Sequence, residues 1–297
     1  MSTTKQEIIL RDNISQIRSK INLRKPQLII TDSLITINND TRIDQDFIIE
    51  KNMTLTINAG VNIVLSNNAN IYIYGKVNIS GNSSNPVRFI GDENSNSAIY
   101  INSFKESQFN FCEFSKLSAL NNNLKMPLYK DFWQTSSAIT LYESQNISFE
   151  NCLFSDNRSG DDMINVVRSD SITFKKCEFK NILSDALDSD FSNLLVENCE
   201  FTVIGNDAID VSGSNIDMIE NYFDKILDKA ISIGEKSHVD MLNCKIQNSE
   251  LALVVKDGSL LQAQNITLEN NRMDLIAFSK KEEYDSPSFK LTNCSIT

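Results

Sequence analysis

Ile172-Thr173-Phe174-Lys175-Lys176-Cys177-Glu178-Phe179 is followed 22 residues later by Leu194-Leu195-Val196-Glu197-Asn198-Cys199-Glu200-Phe201. The same frame, apolar-x-apolar-x-x-Cys-x-apolar, precedes them at Ile147 to Phe154 around Cys152, and more loosely at Phe109, Cys112 and Phe114. It continues at Ile216 to Phe223 with Asn221 in the Cys place, Val239 to Ile246 with Cys244, Leu261 to Leu268 with Ile266, and Phe289 to Ile296 with Cys294. A fixed period of about 22 residues marks a stacked repeat, in which neighbouring units bury faces that none could bury alone.

Within a unit the apolar residues alternate with polar ones, which is strand periodicity, and the two-residue step before Cys reads as a corner. A second short run, such as Ile209-Asp210-Val211-Ser212 or Leu253-Val254-Val255-Lys256, gives each coil two or three strands and leaves no room for a helix. The expected architecture is an all-β, right-handed parallel β-helix, with equivalent residues of successive coils stacked ~4.8 Å apart. A leucine-rich-repeat horseshoe lacks both its Leu/Asn signature and its helical segment here.

Alternating runs such as Leu55-Thr56-Ile57 and Ile71-Tyr72-Ile73-Tyr74, punctuated by Asn58-Ala59-Gly60 and Gly75-Lys76, extend the reading toward the N-terminus. Leu10, Ile14, Ile17 and Ile21 fall on one helical face, so residues 1–25 are expected to form an amphipathic capping helix, and 26–297 the solenoid. No such helix follows Ile296, so the last coil is expected to stay open or to run on into further chain. One interval, from Cys112 to Cys152, holds an insertion rich in aromatics, Tyr129, Phe132 and Trp133. Two readings stand for it: a flap sealing the wall, or a cover over a sugar-binding groove.

A net charge of −11 argues against nucleic acid and anionic membranes as partners. No apolar run of bilayer length occurs, and the first residues lack the apolar stretch of a secretory signal. The chain is therefore expected in the cytoplasm as it stands, or at the cell surface if exported by another route. Six cysteines at one repeat position read as an inward ladder of free thiols, and the single His238 excludes a histidine metal cluster.

Polar chemistry gathers in one stretch. Aligned coils give a turn column Asp162/Asp185/Asp207/Lys229 and two outward columns, Asn165/Asp188/Asp210/Ser232 and Asp190/Ser212/Gly234/Lys256. Like charges stacked on adjacent strands repel, so the acids need a cation, a lysine or protonation, and each of these is also a catalytic device. Asp185, Asp188, Asp190, Asp207, Asp210, Lys229 and Lys256 are the catalytic candidates. Asp162, Asn165, Ser212, Ser232, Glu235, Lys280 and Lys281 are the substrate-binding candidates, and Asp188, Asp190 and Asp210 the candidate ligands for calcium, the one cofactor anticipated. The competing reading is that the acids cap backbone N–H groups at corners.

Asp185-Ala186-Leu187-Asp188-Ser189-Asp190, Gly205-Asn206-Asp207-Ala208-Ile209-Asp210, Asp228-Lys229-Ala230-Ile231-Ser232-Ile233-Gly234-Glu235 and Asn85-Pro86-Val87-Arg88-Phe89-Ile90 resemble bacterial right-handed parallel β-helix proteins of pectin-lyase-like fold, of the kind found with spore-coat CotH-like kinase domains. The resemblance spans roughly residues 26–297 and implies the fold rather than a reaction. The wider class acts on or binds polysaccharides. Gly160-Asp161-Asp162 is similar to the paired-aspartate motif of polygalacturonases, whose Gly-His-Gly and Arg-Ile-Lys elements have no match here. Two functions are carried forward. One is an acidic-glycan-binding or -modifying protein acting as lyase, epimerase or hydrolase; the other is a non-catalytic assembly module, calcium-stabilised, with a kinase-like companion domain or a second copy as partner.

Overall fold

In a computed structural model, which describes residues 28–119 and 136–297, the chain is a right-handed parallel β-helix of about ten turns built from three sheets. One coil runs through Asp170–Lys175 in the first sheet, Glu178–Ile182 in the second and Asp185–Asp190 in the third. Asn193–Glu197 then opens the next coil, pairing in parallel register with Asp170–Lys175. The expected cap over 1–25 and the aromatic insertion at 120–135 lie outside the described residues. The first described strand, Leu28–Ile30, pairs antiparallel with Leu34–Ile37.

Each coil buries its alternate residues, and identical rings meet in the interior. Phe154, Phe179, Phe201 and Phe223 stack with centroids 4.8, 4.5 and 4.9 Å apart, which is the strand spacing itself. A parallel file of Phe109, Phe149 and Phe174 stacks at 4.7 and 5.1 Å.

The two-residue step is the corner between first and second sheets. The residue before each ladder position, Asn151, Lys176, Asn198, Glu220, Asn243 or Asn265, has φ between 51° and 56°, a left-handed kink that asparagine adopts most cheaply. The ladder then serves the corner. Cys112, Cys152, Cys177, Cys199 and Cys244 are buried free thiols, with Cys294 half-buried in the last coil. The Cys177 Sγ lies 3.4 Å from the carbonyl oxygens of both Phe149 and Lys175, to which its thiol donates. Burial pushes the Cys152 and Cys177 thiols well up, which keeps them unreactive.

A second ladder holds the corner from third to first sheet. The amides of Ser144, Ser169 and Ser192 each donate to the hydroxyl of the serine one coil on, Ser169, Ser192 and Ser214, at 2.9 Å. Ser214 and Ser237 continue the pattern to Ser237 and Ser259 at 3.2 Å. Among the described residues no helix is long and apolar enough to cross a membrane.

Candidate functional site

The third sheet carries the acids. Its register runs Ile48, Tyr72, Tyr100, Thr140, Asn165, Asp188, Asp210, Ser232, Val254, Ile276 along one outward column. Val167, Asp190, Ser212 and Gly234 form the next. The polar stretch thus occupies the middle of a face whose N-terminal end is a buried cluster of Tyr72, Tyr74, Tyr100 and Tyr142. The sequence-derived columns therefore coincide with the hydrogen-bonded register.

The set Asp162, Asp185, Asp207 and Lys229 does not form turns. Asp162, Asp185 and Lys229 open the strands Asp162–Val167, Asp185–Asp190 and Lys229–Gly234, and Asp207 stands two residues before Ile209–Ser212. The in–out alternation breaks immediately after Asp185 and Asp207, where Ala186 and Leu187, like Ala208 and Ile209, are consecutive and both fully buried. Two inward residues in succession break the alternation, so Asp185 and Asp207 project on the same side as Asp210.

The break bears on the candidate metal set. Ligand atoms of Asp185, Asp207 and Asp210 all lie within 4.8 Å of one another, a cluster that could hold a metal ion. Of the ligands expected from the sequence, Asp210 is in this group and Asp188 and Asp190 are not. The reason is Asn165: its Nδ2 donates to Asp188 Oδ2 at 2.6 Å and reaches Asp190 Oδ2 at 3.5 Å, tying both carboxyls toward the preceding coil.

Burial, followed by the charges of Asp162, Asp190, Asp210 and Asp185, pushes Asp188 well above the ordinary carboxyl range. Burial also raises Asp162 to about 8, with Asp185 and Asp161 adding to the effect. Asp185 rises to about 7 through burial, opposed by the Asp207 amide, which donates to its Oδ1 at 2.9 Å. Asp190 is raised by burial against the Asn165 hydrogen bond. Asp207 rises only to about 6, because burial is countered by Lys229.

Lys229 donates through Nζ to Asp207 Oδ1 at 2.9 Å and to Asp228. Burial lowers its pKa, but the bonds to Asp228 and Asp207 outweigh that and raise it. Of the two roles the sequence leaves open for Lys229, proton-abstracting base or stabilising cation, this pairing favours the cation. Lys256 sits at the far end of the face, its Nζ donating to the fully buried Ser232 Oγ at 2.8 Å. Its Cε lies 3.4 Å from where a Cβ on Gly234 would project, so the lysine packs over that glycine at ordinary contact distance. At the rim Lys281 pairs with Glu235, and the amides of Lys280 and Lys281 donate to buried Asp257 Oδ1 at 2.6 and 2.8 Å. Ser212 lies half-buried in register with Asp190.

Sequence reasoning missed two features here. The serine ladder was visible as Ser at the coil period. Phe191, which the sequence reading did not single out, is 59% exposed at the strip's end with φ 52°.

Residues 162–297, somewhat under half the chain, match the family described as "Right handed beta helix region". No curated protein matches the chain. Among solved structures, the periplasmic alginate epimerase AlgG is similar with a TM-score of 0.56 at 11% identity, over 93% of this chain and 81% of that one. Pectate lyase Pel9A gives 0.43 at 11% over 81% and 72%, and PfbA, a surface adhesin of Streptococcus pneumoniae, 0.36 at 9% over 90% and 87%. At such identities the likeness is one of fold.

Proposed function

We propose that the outer face of the third sheet binds an acidic polysaccharide and transfers protons on it, in the manner of a lyase. The carrying observation is the in-register run Asn165, Asp188, Asp210, Ser232, in which burial pushes the Asp188 carboxyl well up, Asp210 lies one coil away and the Lys256 amine bonds Ser232 beyond. A glycoside hydrolase places its two carboxyls on opposite sides of the scissile bond. Carboxyls in one outward column face the same way, which suits removing and delivering protons on one side of a sugar.

In such an elimination, a carboxylate at Asp210 takes the proton α to a uronate carboxyl group. The released electron pair forms a carbon–carbon double bond, and the bond to the departing glycosidic oxygen breaks. Asp188 gives that oxygen its proton. Lys256, with Lys281 and Lys280 at the rim, meets the uronate charge. The hard carboxylate oxygens of Asp185, Asp207 and Asp210 suit calcium, which would neutralise the strip in the substrate-free protein, since Asp210 cannot be ligand and base at once. The fold shared with an alginate epimerase makes uronate polymers the first substrates to try.

The test is incubation with alginate and polygalacturonate, following the ultraviolet absorbance of an unsaturated uronate. Asp188→Asn and Asp210→Asn are each expected to lose about 10²-fold or more in rate while still folding. Full turnover by both variants would overturn the assignment.

A second reading has its own observation. Asp207 Oδ1 accepts the Lys229 amide at 3.1 Å and Asp185 Oδ1 the Asp207 amide, ties that recur far from the strip where Asp46 caps Asn70 at 2.9 Å. These two acids thereby stabilise coils whatever else they do, as they would in an assembly module beside a kinase-like domain.

A further inference from the structure

Phe191 is a large apolar side chain left in water at the end of the acid strip. Single exposed apolar residues are ordinary on protein surfaces, so its setting has to carry the argument. The residue follows Asp190 directly and adopts φ 52°, a left-handed conformation costly for an aromatic. Its amide is tied to the Ser212 carbonyl at 2.8 Å, so the kink is fixed by the next coil. The equivalent position one coil on is Gly213, with φ 63°, and a side chain there would meet Phe191 Cδ1 and Cε1 at 2.6 and 2.7 Å. The ring therefore occupies space that only glycine leaves open, and it is seated while 59% of the residue stays in solvent. At the opposite border, where the chain enters the strip, Leu183 and Leu227 are 61% and 67% exposed beside Asp185 and Lys229. The carboxyls and amines are thus bounded by apolar surface at both strand ends.

A hexopyranose has the complementary layout. One ring face presents C–H groups, which suit the negative face of an aromatic quadrupole, and the ring edge presents hydroxyls, which carboxyls bind. We infer that Phe191, seated on Gly213, is the stacking platform for one sugar unit of the bound chain and fixes which unit reaches Asp188 and Asp210. The inference rests on the polysaccharide reading and deepens it. Phe191 is a positioning residue: it contacts the sugar next to the reacting one and takes no part in proton transfer.

The test uses Phe191→Ala, Phe191→Tyr, Phe191→Trp and Asp188→Asn in the full chain, with alginate hexasaccharide, galacturonate hexasaccharide and cellohexaose as probes in calorimetric titration. Expected for the best-bound probe is roughly tenfold weaker binding by Phe191→Ala, retention by Tyr and Trp, and a melting temperature unchanged by the exposed substitution. Phe191→Trp also makes the platform a reporter, through an indole emission shift on adding that probe beyond the one Trp133 gives in the wild type. Gly213→Ala, which pushes the ring off its seat, is expected to weaken binding in the same direction. If the probe binds the wild type and depends on Asp188 but Phe191→Ala binds equally well, the platform is refuted and the polysaccharide reading stands. If no probe binds the wild type, the polysaccharide reading fails and the platform with it.

Discussion

Replacing Asp185 by asparagine should make the protein more stable at pH 8 and leave it unchanged at pH 4. Asparagine retains the Oδ1 that accepts from the Asp207 amide at 2.9 Å and from Asn206 Nδ2 at 2.6 Å, and loses only the ability to ionise. Asp185 carries a pKa raised from 3.8 to about 7, with burial the main cause. The folded state then holds the proton more tightly than the unfolded chain, so stability is fully present below the unfolded pKa and is lost as pH rises through the folded one. With ~1.4 kcal/mol per pH unit, the loss from Asp185 is about 4 kcal/mol as an upper bound. The Asp185→Asn protein, with no proton to lose there, would be exempt from it. The assay is thermal and urea unfolding of wild type and Asp185→Asn at pH 4 and 8, in chelator so that no cation relieves the strip. At roughly 2–4 °C per kcal/mol, even a quarter of that bound is measurable. A gap that is the same at both pH values, or an Asp185→Asn protein less stable than wild type at pH 8, would refute the reasoning.

Two further outcomes are expected. Calcium should raise the melting temperature of the wild type, and Asp210→Asn should abolish the rise while Asp190→Asn keeps it, because Asp190 lies outside the cluster of Asp185, Asp207 and Asp210; equal loss in both variants would return the site to the set first expected. Phe201→Ala removes a ring stacked on Phe179 and Phe223 at 4.5 and 4.9 Å and should cost about 3–5 kcal/mol in denaturant unfolding; a cost under about 1 kcal/mol would mean that the coils collapse around the gap.

Much of this molecule was legible because stacking turns position into register. Once Cys177 and Cys199 are aligned, every other residue of the coil is aligned too, and the column Asn165, Asp188, Asp210, Ser232 follows without knowledge of side-chain contacts. What the alternation rule could not reveal is where alternation stops. The adjacent buried pairs Ala186-Leu187 and Ala208-Ile209 interrupt it, and ligand atoms of Asp185 and Asp207 come within 4.8 Å of those of Asp210, a grouping that a strict period-two reading does not suggest. The pairing of Lys229 was likewise hidden. A lysine beside acids reads equally as base or counter-ion until its Nζ is found bonded to Asp207 and Asp228. Phe191 escaped because nothing in a strand pattern marks the residue at which the chain leaves the strand with positive φ.

The serine ladder gives the molecule a direction in time. The Ser192 amide finds its acceptor on Ser214, 22 residues later, and Ser169 in turn waits for Ser192. A coil emerging from a ribosome is therefore incomplete when its own last residue appears, and it stays so until the next has been made. At ~5–20 residues per second that delay is roughly one to four seconds per coil. During it the newest edge is both a growing surface and a sticky one. Translation speed through each repeat would then govern whether that edge is met by its own successor or by a neighbouring nascent chain.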